Sequence, residues 1–160
     1  MNRSMAKLSI YFSIIFLFGG LAHASDATIA SNPVRSINIS TLNKIVGKKD
    51  FSGLAVAMAT WCRPCREELP VLTELYRQYH DRGIGIVAFS IDREGPAEVQ
   101  PLVDKLKIPF PVFWVGESAV QHYKIFGVPT ILVYRNGKLL EKIPGSQTHK
   151  FIEDKIKSLL

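Results

Sequence analysis

Two cysteines separated by two residues, Cys62 and Cys65, carry the chemistry that this chain is best equipped to perform. They are the only cysteines in the sequence, and they lie in the run Trp61-Cys62-Arg63-Pro64-Cys65. A disulfide between them would close so small a ring that it adds little loop-closure stabilisation. Its use is therefore chemical, and the pair predicts reversible thiol–disulfide exchange.

The segments on either side of the pair predict how it is positioned. An apolar run over residues 53–59 has the length of a strand buried on both faces. An amphipathic helix is predicted from Pro64 to Asp81, with Pro64 in its first turn. Cys62 then lies at the helix N-terminus, where free backbone N–H groups favour a thiolate. The adjacent positive charge of Arg63 should lower the pKa of Cys62 further.

The remaining elements predict the fold class. The segment 37–50 is interpreted as a short strand or sheet edge followed by a polar turn at 47–50. Asn136-Gly137 predicts a tight hairpin. Strands are predicted at 84–91, 111–115, 130–134 and 138–143, and helices at 96–106, 118–126 and 148–160. This order predicts an α/β domain with a mixed β-sheet covered by helices on both faces.

The N-terminus has the pattern of a secretory signal peptide. Arg3 and Lys7 precede an apolar run, and Ala22-His23-Ala24 offers small residues at a cleavage site. Residues 1–24 are therefore interpreted as a signal peptide, 25–36 as a flexible leader and 37–160 as the domain. An uncleaved membrane anchor is the alternative, although the run is short of the roughly 20 residues that a bilayer span needs.

Composition excludes other classes. A chain of 160 residues with 47% hydrophobic residues can bury a core. Cleavage after Ala24 takes the formal charge from +6 to +4, because the first 24 residues hold no acidic side chain. This excess forms no basic stripe, so nucleic acid is not an expected partner.

Several motifs in order carry a family resemblance over residues 54–160. They are Ala59-Thr60-Trp61-Cys62-Arg63-Pro64-Cys65, Glu67-Glu68-Leu69-Pro70, Phe89-Ser90-Ile91-Asp92, Gly127-Val128-Pro129-Thr130, Asn136-Gly137 and Gly145. The chain resembles thioredoxin-fold proteins, and among them the exported TlpA/ResA/DsbE-like thiol–disulfide reductases. The resemblance implies a thioredoxin-like mixed sheet.

The resemblance also implies roles for particular residues. Cys62 is the exposed nucleophile, and Cys65 resolves the mixed disulfide that Cys62 forms with a substrate. Pro129 is expected to have a cis peptide bond and to face the cysteines, which leaves the backbone of Val128 free to pair with a substrate strand. Trp61 is expected at the lip of the site.

A carboxylate near the inner thiol is the next candidate. Glu68 lies three residues after Cys65, so a helix places both side chains on one side. Glu68 matches a glutamate of the family and could exchange a proton with Cys65; alternatively it only complements the helix dipole. Thioredoxins carry a polar residue six positions before the first cysteine, where this chain has Val56.

These inferences predict a periplasmic disulfide reductase that needs no cofactor. Its partners would be exported proteins with disulfides. The family resemblance implies apocytochrome c before haem attachment as one such client and a membrane thiol protein as the electron donor. Membrane contact is expected only if the N-terminal segment is uncleaved. A disulfide-forming oxidase is one alternative, and a copper-binding chaperone of related fold is another. No metal is expected, because His80, His122 and His149 lack the paired spacing of a zinc site.

Overall fold

The two cysteines follow the central strand of a mixed sheet. The computed structural model describes residues 32–160, and within them six strands form one sheet in the order β1-β4-β3-β2-β5-β6. The first four of these are parallel, and β5 is antiparallel to both of its neighbours. The strands are β1 (Arg35–Ser36), β2 (Ser52–Met58), β3 (Ile84–Ser90), β4 (Val112–Trp114), β5 (Thr130–Arg135) and β6 (Lys138–Pro144).

Helices cover both faces of the sheet, as the order of elements predicts. They are α1 (Ile39–Val46), α2 (Arg63–Tyr79), α3 (Pro96–Leu106), α4 (Ser118–Tyr123) and α5 (His149–Leu159), with a 3-10 turn at His80–Arg82 after α2. Buried side chains of α2, α3 and α5 pack on one face, and those of α1 and α4 on the other. The thioredoxin-like mixed α/β fold is thereby confirmed.

Strand β2 is buried on both faces, which explains its uninterrupted apolar sequence. Leu54, Val56 and Met58 belong to the core under α2, while Ala55 and Ala57 belong to the opposite core. Val56 is 1% exposed and packs among apolar side chains. The strand therefore contributes no acid beneath the cysteines.

Two sequence interpretations need correction. The segment 37–50 is predicted to contain a strand or sheet edge, but it forms helix α1 over Ile39–Val46. Asn38 caps this helix by accepting a hydrogen bond from the Thr41 N–H at 2.9 Å, and the buried Leu42 and Val46 lie one turn apart. The β-branched residues of the segment favour a strand locally, whereas burial of this apolar face decides for the helix.

The expected flexible leader, 25–36, overlaps the folded domain at its end. Arg35 and Ser36 pair with Phe113 and Trp114 to form β1. The side-chain amide of Asn32 donates to the backbone oxygens of Ile108 and Phe110. The predicted signal peptide at 1–24 and the first seven residues of the leader, 25–31, lie outside the described residues.

None of the helices in the described part of the chain is long and apolar enough to cross a bilayer.

Candidate active site

The cysteine pair lies at the N-terminus of α2. Cys62 is the N-cap residue, Pro64 stands in the first turn, and Cys62 and Cys65 are joined by a disulfide with a Cα–Cα distance of 5.3 Å. The Cys65 N–H donates to the Cys62 sulfur at 3.2 Å. A thiolate formed at Cys62 on reduction would accept the same bond, and the helix N-terminus would stabilise its charge.

The two sulfur-bearing residues differ in accessibility. Cys62 is 5% exposed and Cys65 is 1% exposed. Both residues are thus buried in this oxidised structure, although Cys62 is expected from the sequence to be exposed. Cys62 is only slightly more accessible than Cys65, so the assignment of the attacking and resolving roles stays a prediction.

The positive charge of Arg63 is paired with a neighbouring carboxylate. Its guanidinium forms a 2.8 Å ion pair with Glu67 one turn along the helix, and both side chains are exposed. Solvent and the Glu67 carboxylate together screen the positive charge from Cys62. The lowering of the Cys62 pKa that the sequence predicts from Arg63 therefore loses much of its basis, and the helix terminus becomes the main source of thiolate stabilisation.

Glu68 is a buried carboxyl group on the inner side of α2. Its residue is 2% exposed, and its Oε1 accepts a hydrogen bond from the backbone N–H of Gln147 at 2.8 Å. The other oxygen, Oε2, is buried without a hydrogen-bond partner. Burial raises the pKa of Glu68 above its ordinary value, against the opposing effect of the Gln147 hydrogen bond.

The geometry of Glu68 indicates which oxygen can carry a proton. Oε1 is occupied by an N–H donor, so Oε2 is the free atom. Glu68 also lies one helical turn beyond Cys65, on the same side of α2, and both residues are buried. A carboxyl group with a raised pKa in this place is suited to exchange a proton with the inner thiol.

The loop before β5 completes the site. The Val128–Pro129 peptide bond is cis, as the family resemblance implies. The carbonyl oxygen of Val128 lies 3.4 Å from the Cys62 sulfur. Sheet pairing between β2 and β5 ends at Ala57 with Thr130, so the Val128 backbone lies beyond the last paired residue. An extended peptide could therefore pair with Val128 beside the disulfide.

Sequence comparison assigns the chain to a family. A profile of the AhpC/TSA family matches residues 26–142. The chain belongs to this thioredoxin-fold family. Curated relatives include the thiol-disulfide oxidoreductase ResA of Bacillus thuringiensis subsp. konkukian, 33% identical over 121 residues, which covers 72% of this chain and 69% of the relative. ResA of Geobacillus thermodenitrificans is 30% identical over 115 residues, covering 69% and 66%.

Solved structures show the same fold. A thiol:disulfide interchange protein from Chlorobium tepidum has a TM-score of 0.63 at 22% identity, covering 69% of this chain and 81% of that one. StoA from Bacillus subtilis has a TM-score of 0.60 at 18% identity, covering 69% and 85%. Together with the Cys62–Cys65 disulfide, the family membership and the ResA relatives make this chain a thiol–disulfide oxidoreductase.

Two aromatic residues that neighbour the motifs of the site in the sequence have exposed side chains, and one of them, Phe126, is not predicted as a site residue. Trp61, predicted at the lip of the site, is 65% exposed, and Phe126 is 94% exposed just before the cis-proline loop. Trp61 also lines a groove of ≈ 340 Å³ with Ile91 and Val120, among others. An almost fully exposed Phe is unusual for a side chain of this size. The signal in the sequence is a Phe beside the Gly127-Val128-Pro129 motif, where no core role requires one.

No group of three or more His, Cys, Asp or Glu side chains within residues 32–160 is arranged to hold a metal ion. The histidines in this range contact other side chains: His80 stacks on Tyr76, His122 contacts the Asn43 amide, and His149 lies near Glu74. The copper-chaperone alternative needs a histidine beside the thiols, and these contacts do not provide one.

Proposed function

We propose that this protein is an exported reductase that transfers electrons from its Cys62–Cys65 dithiol to disulfides of other exported proteins. The main support is that a cysteine disulfide lies at the N-terminus of α2 and that the buried carboxyl group of Glu68 lies on the same helix. The exposed Trp61 and the Val128 backbone form the client-binding face.

The reaction follows from these positions. The Cys62 thiolate attacks one sulfur of the client disulfide, forms a mixed disulfide and releases the other client sulfur as a thiolate. Glu68 accepts the proton of the Cys65 thiol, and the Cys65 thiolate attacks the Cys62 sulfur. The second client thiolate leaves. The client has then gained two electrons, and the Cys62–Cys65 disulfide of the structure is the oxidised product.

The direction of electron transfer between the cysteine pair and its client separates a reductase from an oxidase. A pair becomes more oxidising when its reduced form is stabilised, as by a strongly stabilised thiolate. Here the exposed Arg63 is paired with Glu67, so Cys62 lacks a free neighbouring cation at this position. This arrangement supports the reductase over the disulfide-forming oxidase.

Export and the electron source complete the proposal. The signal-peptide pattern of residues 1–24 supports a periplasmic location, where disulfides persist and a reductase needs a membrane thiol donor to be resupplied with electrons. One related solved structure is described as a secreted disulfide oxidoreductase of Mycobacterium tuberculosis. Clients awaiting haem attachment, such as apocytochrome c, are the substrate class that the family resemblance suggests.

The reduction potential of the pair tests the direction. Equilibration of the protein with dithiothreitol or glutathione buffers, followed by thiol quantification, should give a value near the thioredoxin potential of about −270 mV. A value near the DsbA potential of about −120 mV would instead establish an oxidase. Cell fractionation with N-terminal sequencing tests export: a soluble cytoplasmic protein that retains Met1 would contradict it.

A further inference from the structure

A second buried carboxylate lies close to the cysteine loop, just after the end of β3. Asp92 follows β3 and is 1% exposed. Its Oδ2 accepts a hydrogen bond from the Ser90 hydroxyl at 2.6 Å, while the Ser90 oxygen accepts from the Asp92 N–H at 2.9 Å. The segment is further fixed because the Trp114 indole N–H donates to the Asp92 carbonyl oxygen at 2.7 Å. Asp92 is therefore a rigidly held hydrogen-bond acceptor at the end of the sheet.

The partner of this carboxylate is Thr60, two residues before Cys62. The Thr60 N–H lies 3.0 Å from each Asp92 oxygen, and the Thr60 hydroxyl donates to Oδ1 at 2.8 Å. On the other side of the same residue, the Arg66 guanidinium donates to the Thr60 carbonyl oxygen at 2.6 Å. Both polar groups of the Thr60 backbone and its hydroxyl are thus held, which fixes the short loop between β2 and α2.

Every hydrogen-bond partner of the Asp92 carboxylate in the described chain is a donor, an arrangement that suits the negatively charged form. The other charged groups around the loop are Arg66, Glu98 near the Thr60 hydroxyl at 3.3 Å, and Arg93, which pairs with Glu117. Arg66, Arg93 and Glu117 are exposed and therefore screened by solvent. Of these groups Asp92 is the most buried, so its charge is screened least, and a negative charge held on Thr60, two residues before Cys62, disfavours a thiolate at Cys62. The other buried carboxyl group, Glu68, lies one helical turn beyond Cys65 on the inner side of α2.

We propose that Asp92 is a positioning residue that holds Cys62 in place through Thr60 and, by keeping a negative charge beside this loop, makes the Cys62–Cys65 pair more reducing. This inference rests on the proposed reductase and gives a physical reason for its direction. A thiolate that is less stabilised disfavours the reduced form and lowers the reduction potential.

The test compares two carboxyl-to-amide variants that remove the same formal charge from one segment. Asp92→Asn keeps the shape of the buried side chain, and Glu94→Gln, the matched control, changes an exposed side chain two residues away. In glutathione buffers we expect Asp92→Asn to shift the equilibrium toward the dithiol about tenfold, or about 30 mV for this two-electron couple. The pH profile of Cys62 alkylation should move to lower pH, and Glu94→Gln should change neither.

A second variant separates position from charge and remains informative if Asp92→Asn does not fold. Thr60→Val removes one hydrogen bond to the carboxylate and retains its charge. We expect Thr60→Val to slow exchange with a small aromatic disulfide about threefold. Its equilibrium constant with glutathione, which reports the reduction potential, should stay within about twofold of the wild-type value. A wild-type exchange rate in Thr60→Val, or an Asp92→Asn protein that differs only in thermal stability, would overturn the inference. A strongly oxidising wild-type potential would instead contradict the proposed function.

Discussion

Replacing Glu68 with Gln isolates the charge of the buried carboxyl group. The two side chains have nearly the same shape, and the amide oxygen can still accept the hydrogen bond from the Gln147 N–H. The atom that replaces Oε2 stays buried and without a partner. The variant therefore removes ionisation and proton exchange at this position with little change in packing.

The expected change in stability follows from the direction of the pKa shift. Burial raises the pKa of Glu68 in the folded protein above its unfolded value. Between these two pKa values the folded state binds more protons than the unfolded state. The contribution of Glu68 to stability is therefore fully present below the unfolded pKa, about 4.3. It is lost as the pH rises through the folded pKa. Because an unsatisfied buried polar atom costs about 1 to 3 kcal/mol, and more when charged, we expect Gln to raise the free energy of unfolding by about 1 kcal/mol at pH 8.

Catalysis should change in the opposite direction. Without Glu68 the Cys65 thiol must lose its proton to water during resolution, so we expect this step to slow about 10²-fold, the lower end for general acid–base catalysis. The inner thiol should also titrate at a different pH. Attack by Cys62 on a disulfide should be nearly unchanged, because that thiolate is stabilised at the helix N-terminus.

Two measurements check this prediction. Urea denaturation of the oxidised protein at pH 4 and pH 8 avoids cysteine titration and gives the stability difference, and stopped-flow decay of a mixed disulfide gives the resolution rate. Glu74→Gln, an exposed charge change on the same helix, is the matched control. A Glu68→Gln protein with the wild-type pH–rate profile would return Glu68 to the role of a helix-dipole partner. A variant less stable than wild type only at pH 8 would refute the burial argument.

Three further outcomes are expected. Brief alkylation of the reduced protein at neutral pH should label Cys62 well before Cys65, as peptide mass spectrometry can determine, and the reverse order would exchange the two roles. Cys65→Ser should accumulate clients as mixed disulfides on Cys62 in non-reducing gels, and a reactive Cys62 that traps nothing would contradict the two-step mechanism. Phe126→Ser should lower the rate of insulin reduction about fivefold, or ~1 kcal/mol, without changing the rate with a small aromatic disulfide. Leu140→Ser, at another exposed apolar residue, is its control, and equal losses in both variants would exclude a specific role for Phe126 in client binding.

The sequence alone predicts those features that depend on local patterns. The cysteine spacing, the apolar strand before it and the amphipathic helix after it place Cys62 at a helix N-terminus, as the structure shows. The Gly127-Val128-Pro129-Thr130 motif predicts the cis bond through a family resemblance. The strand predicted where helix α1 lies is wrong, because the β-branched residues there favour a strand locally and only packing against the sheet makes the helical face favourable.

The tertiary structure decides the contacts between distant residues. Glu68 is 79 positions from the Gln147 N–H that holds its carboxyl group, and Thr60 is 32 positions from the Asp92 carboxylate. Neither pair carries a local signal, since a single buried hydrogen bond leaves no periodicity in the chain. Similarly, the sequence places Arg63 beside Cys62, but only side-chain geometry pairs it with Glu67. Local periodicity and turn chemistry thus determine where the thiols lie, whereas long-range packing determines which charges and protons surround them.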